Sequence, residues 1–320
     1  MIAFLSRQRA GPWWHNTESN DDGFEKKESV SLFALGLVVS STFMHAGWNL
    51  LAKSGGSEQY FFQRALRLTI LAVAVPLVVM EVVGKPFPIV AYICVAGSGV
   101  FAGGYFWGLA RAYGSGDFTV VYPIVRALPV ILLGLVDAFR GRLPTSLGWL
   151  GIGFVAGGCL LAPLHSLREI RLANYRLESG FWILMTALAT VGYTLLDKLA
   201  AEMVPPGPLT ALRYGCWFMV TTALAYELIL SRWSGDRKES ESGSLWRAGL
   251  AAGCHFGAYS LILWAYQLAE RVSYVVAFRQ FSIVIGVVVA VMIGNEPGRA
   301  VRTLAAGVIC TGLVMIGLWG

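Results

Sequence analysis

Charged residues are scarce in this sequence. Asp, Glu, Lys and Arg make up 14% of its 320 residues, whereas a soluble domain keeps roughly a quarter of its residues charged to cover its surface. Hydrophobic residues make up 56%, in long blocks that lack the polar face of a soluble helix. The mean hydropathy is +0.62. This composition predicts a membrane protein, with the lipid bilayer as one of its partners.

Motifs of several other protein classes are also missing. The cysteines lie in apolar segments without a CxxC pair, so neither a disulfide framework nor a zinc site is expected. There is no HExxH, no Gly-x-Ser-x-Gly elbow and no Walker loop. We therefore expect no enzyme, no ATP-driven pump, no cofactor and no metal. The five cysteines are Cys94, Cys159, Cys216, Cys254 and Cys310.

The net charge of +6 does not indicate a nucleic-acid partner. Most Lys and Arg residues fall between the apolar blocks, where they anchor and orient a membrane protein. Their numbers on the two sides of the predicted membrane are nearly balanced, so charge does not fix the orientation. The oligomeric state is equally open.

Ten apolar blocks are long enough to cross a bilayer as helices. A spanning helix needs about 20 mainly apolar residues, and only helices or closed barrels satisfy every backbone polar group in lipid. Blocks this long and evenly apolar are helices. They lie near 31–51, 61–83, 88–110, 117–138, 146–163, 179–198, 207–230, 246–268, 273–293 and 299–319.

The two halves of the chain resemble each other. Residues 47–53 (GWNLLAK) match 192–198 (GYTLLDK), and later a constant offset of 153 pairs Arg126 with Arg279. Because five helices is an odd number, the second copy must be inverted relative to the first. The sequence thus predicts an all-α polytopic membrane protein of ten transmembrane helices in two inverted five-helix repeats. The predicted parts are a disordered tail over 1–28, a first repeat over 31–163, a loop over 164–178 and a second repeat over 179–319.

Three motifs carry a resemblance to a known family. They are 44–49 (MHAGWN) in the first helix, 116–126 (GDFTVVYPIVR) leading into the fourth, and 272–280 (VSYVVAFRQ) leading into the ninth. With these motifs the chain resembles the EamA-type permeases of the drug/metabolite transporter superfamily, over about 31–319. One departure is that Glu296 after the ninth helix has no acidic counterpart in the first copy.

The resemblance implies a small-molecule permease in a cell membrane, as in the bacterial inner membrane. It implies both termini in the cytoplasm and a central cavity lined by helices 1, 3, 4, 6, 8 and 9. Its substrates are amino acids or other small metabolites.

Arg126 and Arg279 are the sharpest site candidates. An arginine at the centre of a bilayer costs roughly 2.5–3.5 kcal/mol and so faces a cavity or a partner. The two guanidiniums either hold a carboxylate or phosphate of the substrate, or pair with Asp137, Asp197 or helix carbonyls and only lock the bundle.

Two histidines are the candidates for a coupling proton. His45 lies one turn before Asn49 in the first helix, and His255 one turn before Tyr259 in the eighth. A histidine titrates near neutral pH, but it serves equally as an interhelical hydrogen-bonding group. No metal site is predicted at either, because no Cys or carboxylate lies at helical spacing from them.

Further candidates come from aromatic, proline and glycine positions. Pro123 and Pro129 flank Arg126 and predict a kinked, cavity-lining fourth helix, while spaced glycines predict close helix contacts. The candidate substrate contacts are Arg126, Arg279, His45, Asn49, Tyr122, Trp107, His255, Tyr259 and Gln280. The candidate structural residues are Pro123, Pro129, Gly99, Gly103, Gly253 and Gly257.

Several functions stay open from the sequence. The first is a secondary-active exporter of an amino acid or related anionic metabolite, coupled to an ion gradient. The second is a carrier of phosphorylated or phosphonate-like anions, favoured if both arginines face the cavity. A membrane-embedded enzyme, a channel or a scaffold would belong to other classes.

Overall fold

Every regular element of the described chain is an α-helix, which confirms the predicted all-α class. The computed structural model describes residues 31–53, 58–115, 118–164, 166, 177–233, 244–293 and 298–320. The helices are α1 (Leu32–Lys53), α2 (Glu58–Val83), α3 (Ile89–Ser115), α4 (Phe118–Phe139), α5 (Ser146–Leu161), α6 (Leu177–Ala201), α7 (Pro208–Trp233), α8 (Leu245–Leu268), α9 (Val272–Arg279), α10 (Phe281–Ile293) and α11 (Arg299–Trp319).

Six stretches in the described residues are long and apolar enough to cross a membrane. Two shorter apolar helices, Leu32–Trp48 and Ser146–Leu161, add to them. The long stretches are Phe61–Val83, Ile89–Ala112, Gly180–Ala201, Leu245–Leu268, Val272–Val289 and Arg299–Trp319.

The predicted ninth block, 273–293, is two consecutive helices rather than one. The amide of Gln280 donates to the carbonyl of Ala277, and the carbonyl of Gln280 accepts from the amide of Ile283. These are i→i+3 bonds, which tighten the chain into a 3₁₀ turn and interrupt the α-helical pattern. The break falls directly after Arg279, so that one predicted site residue ends a helix.

The helices that cross the bundle alternate in direction. The start of α2 meets the end of α7 where Arg67 pairs with Glu227, and the start of α7 meets the end of α2 where Arg213 pairs with Glu81. The two helices are therefore antiparallel. The connections 84–88, 140–145, 202–207 and 269–271 lie at one end of the bundle, which we call the A end.

Three further helix pairs run antiparallel in close contact. In α1 and α8, Ser41 bonds to the carbonyl of Ala258, whereas Gly47 lies beside Cys254. In α3 and α6, Gly97 lies beside Leu196 and Gly108 beside Met185. In α5 and α11, Thr145 bonds to the carbonyl of Trp319, whereas Gly158 lies against Ile309.

Polarity is distributed opposite to that of a soluble protein. Large apolar side chains cover the outside; Leu71 is 74% exposed and Val82 80% exposed. Charged side chains are buried inside: Asp197 is 0% exposed and Lys198 is 3% exposed. Such an outer surface is compatible with lipid, and the buried ionisable groups mark the interior as the place to look for a site.

Candidate functional site

Arg126 joins three helices deep in the bundle. It lies eight residues after Phe118, the first residue of α4, which is about 12 Å along the helix axis at 1.5 Å per residue. Its Nη2 donates to Ser282 Oγ of α10 at 2.7 Å, and its Nη1 lies 3.1 Å from His45 Nε2 of α1. Ser282 Oγ in turn donates to the carbonyl of Arg279 at 3.0 Å. One hydroxyl therefore links the two arginine positions.

His45 has a hydrogen-bond donor on each side of its ring. Trp48 Nε1 donates to His45 Nδ1 at 2.9 Å, and the guanidinium of Arg126 faces Nε2. A neutral imidazole has one N–H and one acceptor, and an imidazolium has two N–H groups. The ring cannot accept both bonds, and a second ring proton would point at a donor. His45 is therefore poorly placed to take up a proton.

Arg279 lies among tyrosines, and it is the second cation of the site. Its Cζ is 6.0 Å from the ring centroid of Tyr259. Within the described part of the chain its guanidinium has no carboxylate in an ion pair and no hydrogen-bond acceptor. Both guanidiniums lie close enough to His45 to interact with it electrostatically. The tyrosines around Arg279 are Tyr105, Tyr193, Tyr259 and Tyr266.

Asp197 is a buried carboxylate held by two tyrosines. It lies in α6 at 0% exposure. Its Oδ1 accepts from the Tyr214 hydroxyl at 2.9 Å, and its Oδ2 accepts from the Tyr259 hydroxyl. The Tyr259 ring is stacked on Phe218, with ring centroids 4.1 Å apart. Tyr259 therefore connects the carboxylate to the aromatic surface beneath Arg279.

His255 lies on the other side of Tyr259, against aromatic rings. Its ring is 6.4 Å from that of Tyr259 and 5.2 Å from that of Trp48. Its Nε2 has no hydrogen-bond partner among the described residues. His255 also lines an apolar cavity of about 20 Å³ beside Phe106 and Thr69, room for about one water.

Five of the predicted substrate contacts meet at this site, and Gln280 bonds back to α9 instead. Arg126, Arg279, His45, His255 and Tyr259 come together around the middle of the bundle. The side chain of Gln280 is 4% exposed and donates to the carbonyl of Val276 at 3.2 Å, while its Oε1 has no partner in the described chain.

Trp107 lies away from this cluster, towards the end of α3. Its ring is 4.7 Å from Trp182 and 5.2 Å from Trp233, and Arg111 lies over it. These neighbours place it in an aromatic group near the end opposite to the A end. The geometry gives it no contact with either arginine of the site.

The predicted structural residues differ in their surroundings. Gly99 and Gly103 face Thr221 and Ala225 of α7, with no room for a Cβ. Gly257 faces Met44 of α1, whereas Gly253 borders open space. Pro129 is buried in α4.

Several predicted positions lie outside the described residues. These are the side chains of Asn49, Tyr122 and Pro123, the tail over 1–28, most of the loop over 164–178, and Glu296.

Sequence reasoning named Asp197 only as a possible partner of the two arginines that locks the bundle, and it missed Ser282. Asp197 falls in the repeated segment 192–198, where the first copy has Ala52. A carboxylate present in only one of two matching membrane segments was the available signal. Ser282 gave none, because its role depends on the break between α9 and α10.

The A end carries a separate network of ion pairs. Glu202 contacts Arg140 at 2.7 Å, Arg142 at 2.5 Å and Lys198 at 3.3 Å. Burial alone would raise the pKa of Glu202, but attraction to these three cations outweighs it and holds the pKa below its ordinary value. Arg142 also donates to the carbonyl of Glu270 at 2.6 Å. The network ties the ends of α4, α6 and α8 together.

A second ion pair at the A end joins α2 and α7. Arg213 donates to Glu81 Oε1 at 2.6 Å and to the carbonyl of Lys85 at 2.7 Å. Trp217 Nε1 donates to the same carboxylate at 2.7 Å, and Arg213 lies over the Phe87 ring at 4.2 Å. Arg213 therefore has a carboxylate counter-ion and hydrogen-bond acceptors within the protein itself.

No group of three or more His, Cys, Asp or Glu side chains in the described chain could hold a metal ion. No family model matches the sequence, and no curated protein matches it. A solved structure titled only "Crystal structure of protein" superimposes with a TM-score of 0.66 at 16% identity, covering 89% of this chain and 96% of that one. At this identity the likeness shows a shared fold alone.

Proposed function

We propose that this chain is a membrane carrier that moves a small anionic metabolite across a bilayer. The observation that carries the proposal is the partly buried guanidinium of Arg279, which has no carboxylate partner in the described chain. Arg126 lies near it, because its guanidinium donates to Ser282, whose hydroxyl donates to the backbone carbonyl of Arg279. A buried charge is costly unless it is paired. A mobile carboxylate or phosphate provides that pairing when substrate is bound.

The proposed architecture is ten crossings in two inverted five-helix repeats. Antiparallel contact between equivalent helices supports it, as in α2 with α7 and α5 with α11. A second support is that α1 packs on α8 and α6 packs on α3. In two five-helix repeats, α6 is the counterpart of α1 and α3 is the counterpart of α8, so the two contacts are equivalent. With α9 and α10 as one broken crossing, the helices alternate in direction throughout. Inverted repeats around a midplane site allow alternating access.

The proposed family is the EamA-type permeases of the drug/metabolite transporter superfamily. The motifs over 44–49 and 272–280 support it, because they supply His45 and Arg279, which meet around the middle of the bundle. One feature departs from the family: Glu296 is present after the ninth predicted helix, but the equivalent position in the first repeat has no acidic residue.

The substrate is proposed to be an amino acid or a related carboxylate. The alternative is a phosphorylated or phosphonate-like anion, and the presence of two arginines in one site favours it, because arginine binds phosphate oxygens in a bidentate manner. The two alternatives differ in charge: a dianion uses both arginines, whereas a monocarboxylate needs one.

The test is ligand binding followed by transport. Purified protein in lipid nanodiscs is screened by thermal shift against amino acids, other carboxylates and phosphate esters, and each stabilising compound is then tested for counterflow in proteoliposomes. A carrier exchanges labelled for unlabelled compound, whereas an enzyme or a scaffold does not.

The variants Arg126→Gln and Arg279→Gln should abolish both signals with normal membrane insertion. Arg67→Gln, which alters an exposed ion pair with Glu227, is the matched control and should retain them. Equal loss in the control, or no stabilising anion at all, would count against the proposal.

A further inference from the structure

We propose that Asp197 is a proton-binding site, and that its protonation is coupled to anion binding at Arg279 through Tyr259. The inference rests on the proposed function for the identity of the anion site. The protonation itself is a property of Asp197 and is measurable without any substrate. From the sequence, the role considered for this carboxylate was pairing with the arginines, not binding of a proton.

The first step of the argument is the absence of a cationic partner. Asp197 is 0% exposed, and within the described residues it takes part in no ion pair. The neighbouring Lys198 points elsewhere, donating to the carbonyls of Tyr266 and Ala269 at the A end. A buried carboxylate without a counter-ion is the arrangement that favours uptake of a proton, which removes the charge.

The second step is the set of groups that face Asp197 from each surrounding helix. Tyrosine hydroxyls approach it from α7 and α8, and the positive charge of Arg279 in α9 attracts it electrostatically. Apart from Arg279, none of these neighbours carries a charge near neutral pH. The groups facing Asp197 are Cys94 and Ser98 of α3, Tyr214 of α7, Tyr259 and Tyr266 of α8 and Arg279 of α9.

The third step is the connection to the anion site. The Tyr259 hydroxyl donates to Asp197 Oδ2, and its ring lies beneath Arg279. While Arg279 has no anion, its positive charge stabilises the carboxylate. A bound anion neutralises that charge, and Asp197 then gains a proton: COO⁻ plus H⁺ gives COOH. By reciprocity, the proton raises the affinity for the anion.

The two histidines are the competing proton acceptors. Donors on both sides of the His45 ring oppose a second ring proton. His255 lies among the rings of Trp48, Phe106 and Tyr259, and its Nε2 has no hydrogen-bond partner among the described residues. Asp197, by contrast, accepts a hydrogen bond from Tyr259, whose ring lies beneath Arg279.

The consequence for transport is co-transport of a proton with the anion. Because the proton and the anion favour each other, the loaded carrier moves both in one direction, and an inward proton gradient drives uptake. This differs from the export direction of the first function expected from the sequence.

The first experiment measures protonation directly and needs no substrate. Infrared difference spectra between acidic and neutral pH, recorded on the full chain in nanodiscs, should show a protonated carboxylic C=O band. Asp197→Asn should remove that band, Asp197→Glu should shift it, and Glu227→Gln at the exposed ion pair should leave it unchanged. A wild-type protein with no such band, or a band unaffected by Asp197→Asn, would overturn the proposal.

The second experiment measures the coupling. Sulfate and methanesulfonate are the probes, because neither changes its protonation over the pH range and any pH dependence belongs to the protein. Wild-type affinity should rise about tenfold from neutral to acidic pH, a typical coupling between sites. Tyr259→Phe removes the hydroxyl and keeps the ring, and should reduce this rise. Asp197→Asn should abolish it.

The outcomes separate the two proposals. Anion binding that is lost in Arg279→Gln but has no pH dependence in wild type keeps the carrier and removes the role of Asp197. A carboxylic band that depends on Asp197, together with no anion binding at all, removes the carrier as proposed.

Discussion

The buried centre of the bundle and its A end both contain arginines, but these arginines contact different groups. At the A end, Arg213 meets Glu81, and Arg140 and Arg142 meet Glu202. At the centre, Arg279 lies over the Tyr259 ring without an ion pair in the described chain.

The difference indicates different purposes. A cation with a fixed carboxylate has its charge satisfied in the absence of any ligand, and so it fixes helices to one another. A cation among hydroxyls and rings is held in place but not neutralised, and so it is available to a mobile anion. The predictions below exchange these properties between the two regions.

The largest effect should come from giving the centre a fixed carboxylate. In the wild type, Ser282 Oγ accepts a hydrogen bond from Arg126 at 2.7 Å. Ser282→Asp places an anion at this position, beside Arg126. The internal carboxylate should occupy the site and weaken binding of external sulfate by about 100-fold or more, the scale of losing a buried charge partner. Isothermal titration in nanodiscs measures it.

Ser282→Ala is the matched control for that substitution. It removes the same hydrogen bond without adding a charge, so it should weaken sulfate binding only a few-fold, for a loss of about 1 kcal/mol. Equal losses in the two variants would mean that Ser282 matters for packing and that charge is irrelevant.

The opposite exchange removes a fixed carboxylate from the A end. Glu81→Gln leaves the buried Arg213 without its counter-ion, and it should destabilise the protein by about 2 kcal/mol, less than for a fully buried pair because Glu81 is 25% exposed. Thermal unfolding in detergent measures the loss. Glu227→Gln, in the more exposed pair with Arg67, should cost about 0.5 kcal/mol.

A smaller effect concerns acid stability at the A end. The pKa of Glu202 is lowered in the folded protein, so its contribution is complete above the ordinary glutamate value of about 4.3 and is lost as the pH falls through the lowered one. The free energy of unfolding of the wild type should therefore decrease in acid by about 1 kcal/mol more than that of Glu202→Gln. Unfolding curves across pH that coincide would contradict this.

The smallest effect is expected at a residue that the sequence singled out. His45 was a candidate for the coupling proton, but its contacts with Trp48 and Arg126 oppose a second ring proton. His45→Asn should therefore keep the pH dependence of sulfate binding even if overall affinity changes. Sulfate binding that no longer depends on pH in this variant would indicate that His45, and not Asp197, binds the proton.

The sequence predicted the all-α class and the arginine pair for physical reasons. Hydropathy is local, so a run such as 61–83 identifies its helix without tertiary information. The cost of an arginine in lipid is likewise independent of its partners, and so Arg126 and Arg279 stood out before any contact was known.

What the sequence could not predict depends on contacts between helices. The break after Arg279 lies inside a uniformly apolar block. Asp197 gains its meaning from hydroxyls on α7 and α8, far away in sequence. Trp107 was predicted as a substrate contact on its type and helix alone, yet its neighbours are Trp182 and Trp233.

We propose that a mobile anion binds between the partly buried guanidiniums of Arg126 and Arg279. The most direct test is an experimental structure with selenate, a sulfate analogue located by its anomalous signal. We expect a selenium peak within hydrogen-bonding distance of both Arg126 and Arg279. Guanidiniums that point outwards to lipid, or selenate bound only at the A end, would contradict it.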